Sequence, residues 1–277
     1  MRLIEEPVLK VDSLTVRYGD GCAACGQYME KNRCTACGTI WAARALSLQV
    51  YHGEVLGVVG ESGSGKTTLM QSLYFDIEPT GGSAYLQAFQ GGARSIWTAS
   101  AAERRRIKNN LMGIVYQNPA MGLRMQYSTA ANIAEKLIAA GVRDAGQMTS
   151  RAIELLDAVE ILTSRMAEAP VTFSGGMRQR VQISKALANN PSILLLDEVT
   201  TGLDLSVQAK VLDLIRKIKA QYGISILLVS HDLAVIRMLA DRTIVMLDGR
   251  IVESGLTDQI LEDPQHAYTQ QLVHSLL

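Results

Sequence analysis

Leu56–Leu73 reads "LGVVGESGSGKTTLMQSL". An apolar, β-branched run gives way to closely spaced glycines and then to a stretch of helix formers. Gly60-x4-Gly65-Lys66-Thr67 fits the pattern G-x4-G-K-[ST], with a strand before it and a helix after it. Glycines let successive backbone N–H groups curl around a phosphate, and the helix N-terminus adds partial positive charge. Gly60, Glu61, Ser62, Gly63, Ser64, Gly65, Lys66, Thr67 and Thr68 are therefore the expected nucleotide-binding residues. Lys66 is placed to reach the β- and γ-phosphates, and the Thr67 hydroxyl to ligate Mg²⁺. A chance glycine-rich turn would lack this strand–helix context.

The rest of the chain suits that loop. Short apolar runs, Glu54–Gly60, Gly113–Gln117, Ser192–Val199, Ser225–Asp232 and Arg242–Gly255, alternate with helical patterns. Continuous apolar strands belong in a sheet covered on both faces, so an α/β fold built on a parallel sheet is expected. In "SVQAKVLDLIRKIKA", Val207, Val211, Leu214, Ile215 and Ile218 share one helical stripe. Asp248-Gly249 at the centre of "TIVMLDGRIVES" predicts a hairpin. Residues 95–175 are richer in helix formers and read as an inserted helical lobe.

Composition narrows the class. Lysine plus arginine and aspartate plus glutamate both total 27 in 277 residues, giving no electrostatic reason to expect nucleic acid. The run "ERRRIK" (103–108) reads as a solvated helix face. No stretch approaches the roughly 20 apolar residues of a membrane span. The N-terminus lacks a signal-peptide core, so a cytoplasmic protein is expected.

A magnesium site needs a carboxylate, and "ILLLDE" delivers Asp197 at a strand end with Glu198 beside it. Glu198 is the candidate general base for a water attacking the γ-phosphate. "FSGGMRQR" opens a second helix on a Ser-Gly-Gly turn, "YQNP" sets Gln117 at a strand end, and "LLVSHD" does the same for His231.

With these pieces in order the chain resembles the ATP-binding cassette (ABC) ATPases along nearly its whole length: P-loop, Gln loop, signature, Asp-Glu strand, "TTGLD" and switch histidine. The resemblance implies a P-loop NTPase fold in one ABC ATPase domain over residues 1–277, with a C-terminal extension at 256–277. It implies that Tyr18 stacks on adenine, that Gln117 senses Mg²⁺ and the attacking water, and that Thr67, Gln117 and Asp197 serve the metal. By the same likeness His231 holds the γ-phosphate and Asp204 lies in a subunit contact. Ser174, Gly175 and Gly176 would cover ATP bound to a second copy, which implies a homodimer around two ATP. Met177 replaces the usual Gln of the signature, and Val199 the usual proline after Glu198. The second change removes a fixed φ from the Glu198 loop and bears on turnover rather than on ATP binding.

The tail "DPQHAYTQQLVHSLL" looks like the ending of oligopeptide, dipeptide and nickel importer ATPases, which work beside a membrane permease. "GLRMQYSTAANIAEKL", "DEVTTGLDLSVQAKVLDLIRKI" and "RMLADRTIVMLDGRIVESGLTDQILEDP" are most similar to the cassette of the bacterial carbon–phosphorus lyase system, which breaks down phosphonates with soluble lyase-core subunits as partners. Two readings of its work therefore stand, lyase ATPase and importer ATPase, the second implying attachment to the inner-membrane surface. A module that binds ATP without hydrolysing it is a third, and Glu198 and His231 weigh against it. Tandem translation-factor cassettes are excluded by the single P-loop.

All four cysteines fall in Cys22-x2-Cys25-x8-Cys34-x2-Cys37, inside an inserted hairpin at 20–40. A C-x2-C-G turn is the geometry of a zinc knuckle, and two knuckles make a four-thiolate site. Structural Zn²⁺ is the leading reading, with an iron–sulfur cluster, a redox dithiol or no metal as alternatives. Four protein thiolates leave no open position for catalysis.

Overall fold

The structure, a computed structural model, describes residues 6–275. The outermost ends of the predicted domain and of its C-terminal extension, residues 1–5 and 276–277, lie outside them. Strands are β1 (Leu9–Tyr18), β2 (Met29–Glu30), β3 (Arg33–Cys34), β4 (Ile40–Val50), β5 (Val55–Val59), β6 (Gly81–Leu86), β7 (Met112–Val115), β8 (Ile193–Asp197), β9 (Ser225–Val229), β10 (Arg242–Leu247) and β11 (Arg250–Leu256). Helices are α1 (Lys66–Leu73), α2 (Ala101–Arg106), α3 (Pro119–Gly122), α4 (Thr129–Ala139), α5 (Ala145–Ala158), α6 (Gly175–Leu187), α7 (Leu205–Tyr222), α8 (Leu233–Leu239), α9 (Thr257–Glu262) and α10 (Ala267–His274). They form two compact units: the described residues up to Ala99 with those from Leu227 onward, and Ser100–Ile226.

The first unit holds an antiparallel sheet ordered β2-β3-β4-β1-β6. This sheet is absent from the strand runs expected above. Its strands are not continuously apolar: β1 alternates buried Leu9, Val11, Leu14 and Val16 with exposed or half-exposed neighbours. Period-two burial of this kind marks a sheet with one face packed and one face wet. Beside it β5 pairs parallel to β10, and β10 turns back on β11 through Asp248-Gly249, both at positive φ. That is the expected hairpin.

One pair of residues fastens β5 to β10. Asp241 Oδ2 accepts from the Val55 N–H at 2.7 Å, and the Asp241 N–H donates to the Val55 carbonyl at 2.9 Å. All five residues of β5 are buried, so the strand leading into the P-loop is fixed on both faces and at its start.

The second unit sets β7 parallel to β8 and holds α2–α7, with α6 and α3 against β7. In α7 the buried residues are Val211, Leu212, Leu214, Ile215 and Ile218, as the apolar stripe requires, while Val207 is half-buried. The basic run 103–108 begins in α2, which has no buried residue and starts on a capping box between Ser100 and Glu103. Arg105 and Arg106 are exposed, whereas Glu103, Arg104 and Lys108 are half-buried.

Asp241→Ala removes a charge-assisted bond to buried backbone. It is expected to lower stability by about 1.5–3 kcal/mol in denaturant unfolding.

Candidate functional site

The phosphate-binding half lies in the first unit. Gly65 caps α1 at φ 103°, and a Cβ there would stand 2.0 Å from the Ala42 carbonyl oxygen of β4. Only glycine fits both the left-handed backbone and the close approach. Lys66 follows, 5% exposed, with its ammonium donating to the carbonyls of Gly60 at 2.7 Å and Glu61 at 2.9 Å. Ser64 is buried, and its Oγ lies 3.4 Å from Lys66 Nζ. The loop thus folds around its own cation, which holds positive charge beside the exposed Glu61, Ser62, Gly63 and Thr67. Thr68 is buried and its Oγ1 lies 3.5 Å from the hydroxyl of Tyr18, whose half-exposed side chain ends β1. His231 is exposed just beyond β9.

Sequence reasoning missed one residue here. The Glu61 N–H donates to Tyr268 Oη at 2.8 Å, so the α10 tail touches the P-loop across 207 positions. The tail motif was readable, but nothing local in it says where its hydroxyl goes.

Asp197, Glu198 and Gln117, the residues expected to serve magnesium and the attacking water, lie in the second unit. Asp197 ends β8 at 8% exposure. Glu198 then takes φ 47°, a left-handed turn that costs a non-glycine residue about 1–2 kcal/mol. The reversal breaks strand alternation and sets the second carboxylate on a new heading. Gln117 Nε2 donates to Glu198 Oε2 at 3.0 Å, and Thr201 Oγ1 donates to the same oxygen at 3.3 Å. Two expected catalytic residues are thus joined. Val199 is 3% exposed, so burial anchors the position where the family commonly has proline.

Gln182 of α6 is the positioning residue that the sequence hid. It is 1% exposed and brackets Tyr116: Oε1 accepts from the Tyr116 N–H at 2.7 Å, and Nε2 donates to the Tyr116 carbonyl at 3.0 Å. The residue before Gln117 is therefore fixed through its backbone.

Ser174 caps α6, its Oγ accepting from the Met177 N–H at 3.4 Å, and both Ser174 and Gly175 are exposed. Gly176 is buried against Val207 of α7. Asp204 caps α7, accepting from the Val207 N–H at 2.9 Å and the Ser206 hydroxyl at 2.7 Å. These bonds, the backbone one foremost, hold its carboxyl below the usual range. Leu205 beside it is 84% exposed.

The four cysteines converge. Sγ separations are 3.7 Å for Cys22–Cys25, 3.9 Å for Cys22–Cys34 and 3.6 Å for Cys25–Cys37, with all four sulfurs inside 4.8 Å of one another. Thiolates bound tetrahedrally at about 2.3 Å from one zinc stand about 3.8 Å apart. Cys37 Sγ is hydrogen-bonded to Thr39 Oγ1 at 3.2 Å, and this contact lowers its thiol to about 6. The set fits a single tetrahedral ion.

A protein-family model described as ABC transporter matches residues 43–201. PhnK of Escherichia coli (strain K12), a protein named for phosphonates utilization and ATP binding, is 47% identical over 232 residues, 84% of this chain and 90% of PhnK. The chain belongs to the ABC ATPase family. The oligopeptide transport ATP-binding protein OppD of Mycobacterium bovis is 37% identical over 238 residues, 86% of this cassette but 38% of OppD's own length. A dimeric ATP-binding cassette solved in a post-hydrolysis state with ADP and phosphate aligns at TM-score 0.74 and 27% identity, over 90% of this chain and 98% of that one. The cassette therefore has the P-loop NTPase fold and belongs to an ATP-hydrolysing family. The family match begins at residue 43, beyond the cysteine hairpin. Among the described residues no helix is long and apolar enough to cross a membrane.

Gln182→Leu keeps the volume but removes both of its bonds to the Tyr116 backbone. It is expected to cost about 1–3 kcal/mol in denaturant unfolding and to slow ATP hydrolysis.

Proposed function

We propose that this cassette dimerises around two MgATP and that its hydrolysis drives conformational change in the carbon–phosphorus lyase machinery of phosphonate breakdown. The observation that carries the reading is the 47% identity to PhnK over 90% of PhnK's length. The dimeric neighbour supports the paired arrangement.

In this reading Tyr18 stacks on adenine, while Lys66 and the N–H groups of residues 60–68 hold the phosphates. Thr67, Asp197 and Gln117 hold magnesium, which supplies charge neutralisation of the triphosphate when bound. A buried carboxylate at a strand end and a hydroxyl at a helix start are the hard oxygen ligands that ion prefers. Glu198 takes the proton of the attacking water, and its bond from Gln117 orients the carboxylate for that task. His231 holds the γ-phosphate. Ser174, Gly175 and Gly176 close over the partner's nucleotide, and the exposed Asp204–Leu205 step lies in the subunit contact. Soluble lyase subunits are the partners, in the cytoplasm.

A second reading, an importer ATPase docked on a permease at the inner membrane, is favoured by the OppD match and the tail sequence. Co-purification decides: recovery of soluble lyase subunits supports the first reading, and recovery of a membrane permease replaces it. Glu198→Gln is expected to reduce hydrolysis by about 10²–10⁴ with nucleotide binding retained. Equal turnover in both proteins removes Glu198 from its role.

Zinc in the Cys22, Cys25, Cys34 and Cys37 site belongs to the same proposal. Its support is the sulfur spacing, since an iron–sulfur cluster places iron and sulfide between its thiolates and spreads them wider. Metal analysis is expected to find one zinc per chain in a colourless preparation.

A further inference from the structure

The hairpin has almost no core of its own. From Gly21 to Ile40 the buried residues are Cys25, Cys34 and Thr39. β2 and β3 pair over two positions, Met29 with Cys34 and Glu30 with Arg33. A ribbon that short is not stable by itself in water. Whatever ties the four sulfurs together therefore orders the segment, because metal binding and folding of such a module are one equilibrium.

The ordered hairpin reaches the nucleotide site by two routes inside the first unit. At its tip, Lys31 adopts φ 54° and its carbonyl accepts from Arg44 Nη1 at 3.2 Å. The neighbouring Asn32 donates from Nδ2 to the Gly63 carbonyl at 3.4 Å. Gly63 is the exposed middle of the P-loop.

The other route runs through the sheet. The Trp41 N–H donates to the Asn32 carbonyl at 2.7 Å, and the Cys34 N–H donates to the Thr39 carbonyl at 2.9 Å. Arg33 pairs with Ile40, and Ile40 in turn pairs with Tyr18. Arg17, beside Tyr18, lies over the Trp41 ring at 5.8 Å from its centroid. The backbone that sets Tyr18 is thus one strand away from a cysteine-bearing strand.

We infer that zinc in this hairpin sets the nucleotide affinity of the pocket, bracing the P-loop at Gly63 and the end of β1 at Tyr18. The inference rests on the zinc reading given above and adds a role to it. Metal loss would loosen both walls without removing any residue that touches nucleotide, so binding would weaken before fold is lost.

The test is titration of magnesium-ADP into the full-length protein in three forms: as purified with zinc, stripped by chelator and returned to magnesium, and stripped then restored with stoichiometric zinc. Circular dichroism follows the fold of each. The stripped form is expected to bind ADP at least tenfold more weakly, with zinc restoring affinity. Asn32→Ala, which keeps all four thiols, is expected to retain its zinc and bind ADP at least twofold more weakly. It decides the matter if the stripped chain unfolds. A folded, zinc-free protein that binds ADP as tightly as the loaded one overturns the coupling, as does unchanged affinity in Asn32→Ala. Protein that never contains zinc by mass spectrometry overturns the zinc reading itself, a failure distinct from the other two.

Discussion

The fit of Gly65 against the Ala42 carbonyl is the constraint on which the phosphate-binding half depends. At 2.0 Å a β-carbon is forbidden, and the backbone there is already left-handed. With that approach closed, β5 can turn into α1 within a few residues, and Lys66 drops into the ring of carbonyls from Gly60 and Glu61. A buried ammonium is costly unless oxygen atoms surround it, so the loop and its cation specify each other. The Asp241–Val55 clasp and the burial of all five β5 residues keep this arrangement in register with the sheet.

The second unit solves a different problem, which is how to aim a carboxylate. Asp197 is set by its strand. Glu198 leaves that strand in a strained conformation and is then held at its tip by Gln117 and Thr201. Backbone strain of this kind persists where the surroundings over-determine it. Here they do so through the buried Val199 on one side and the Gln182–Tyr116 bracket behind Gln117 on the other.

Much of this was legible in the sequence, for reasons that can be named. The P-loop, the Asp-Glu strand and the signature helix are local motifs whose residues are contiguous, and the apolar strands announce themselves by composition. The antiparallel sheet was not read, because β1 and β4 bury alternate residues and their polar faces dilute the signal. Long-range polar contacts were also invisible: Tyr268 meets Glu61 across 207 residues, and Gln182 meets Tyr116 across 66. The spacing of the cysteines suggested one four-thiolate site, and the fold brings all four sulfurs within 4.8 Å of one another.

The two signature glycines make very different experimental probes. A methyl group at Gly176 would meet Val207 Cγ1 at 2.3 Å, so α6 could not seat on α7 without shifting. At Gly175 the nearest atom is Leu203 Cδ2 at 3.4 Å, ordinary contact, with the surface open. Inactivity after changing Gly176 would report damage to interhelical seating before anything else. The same experiment at Gly175 leaves that seating intact.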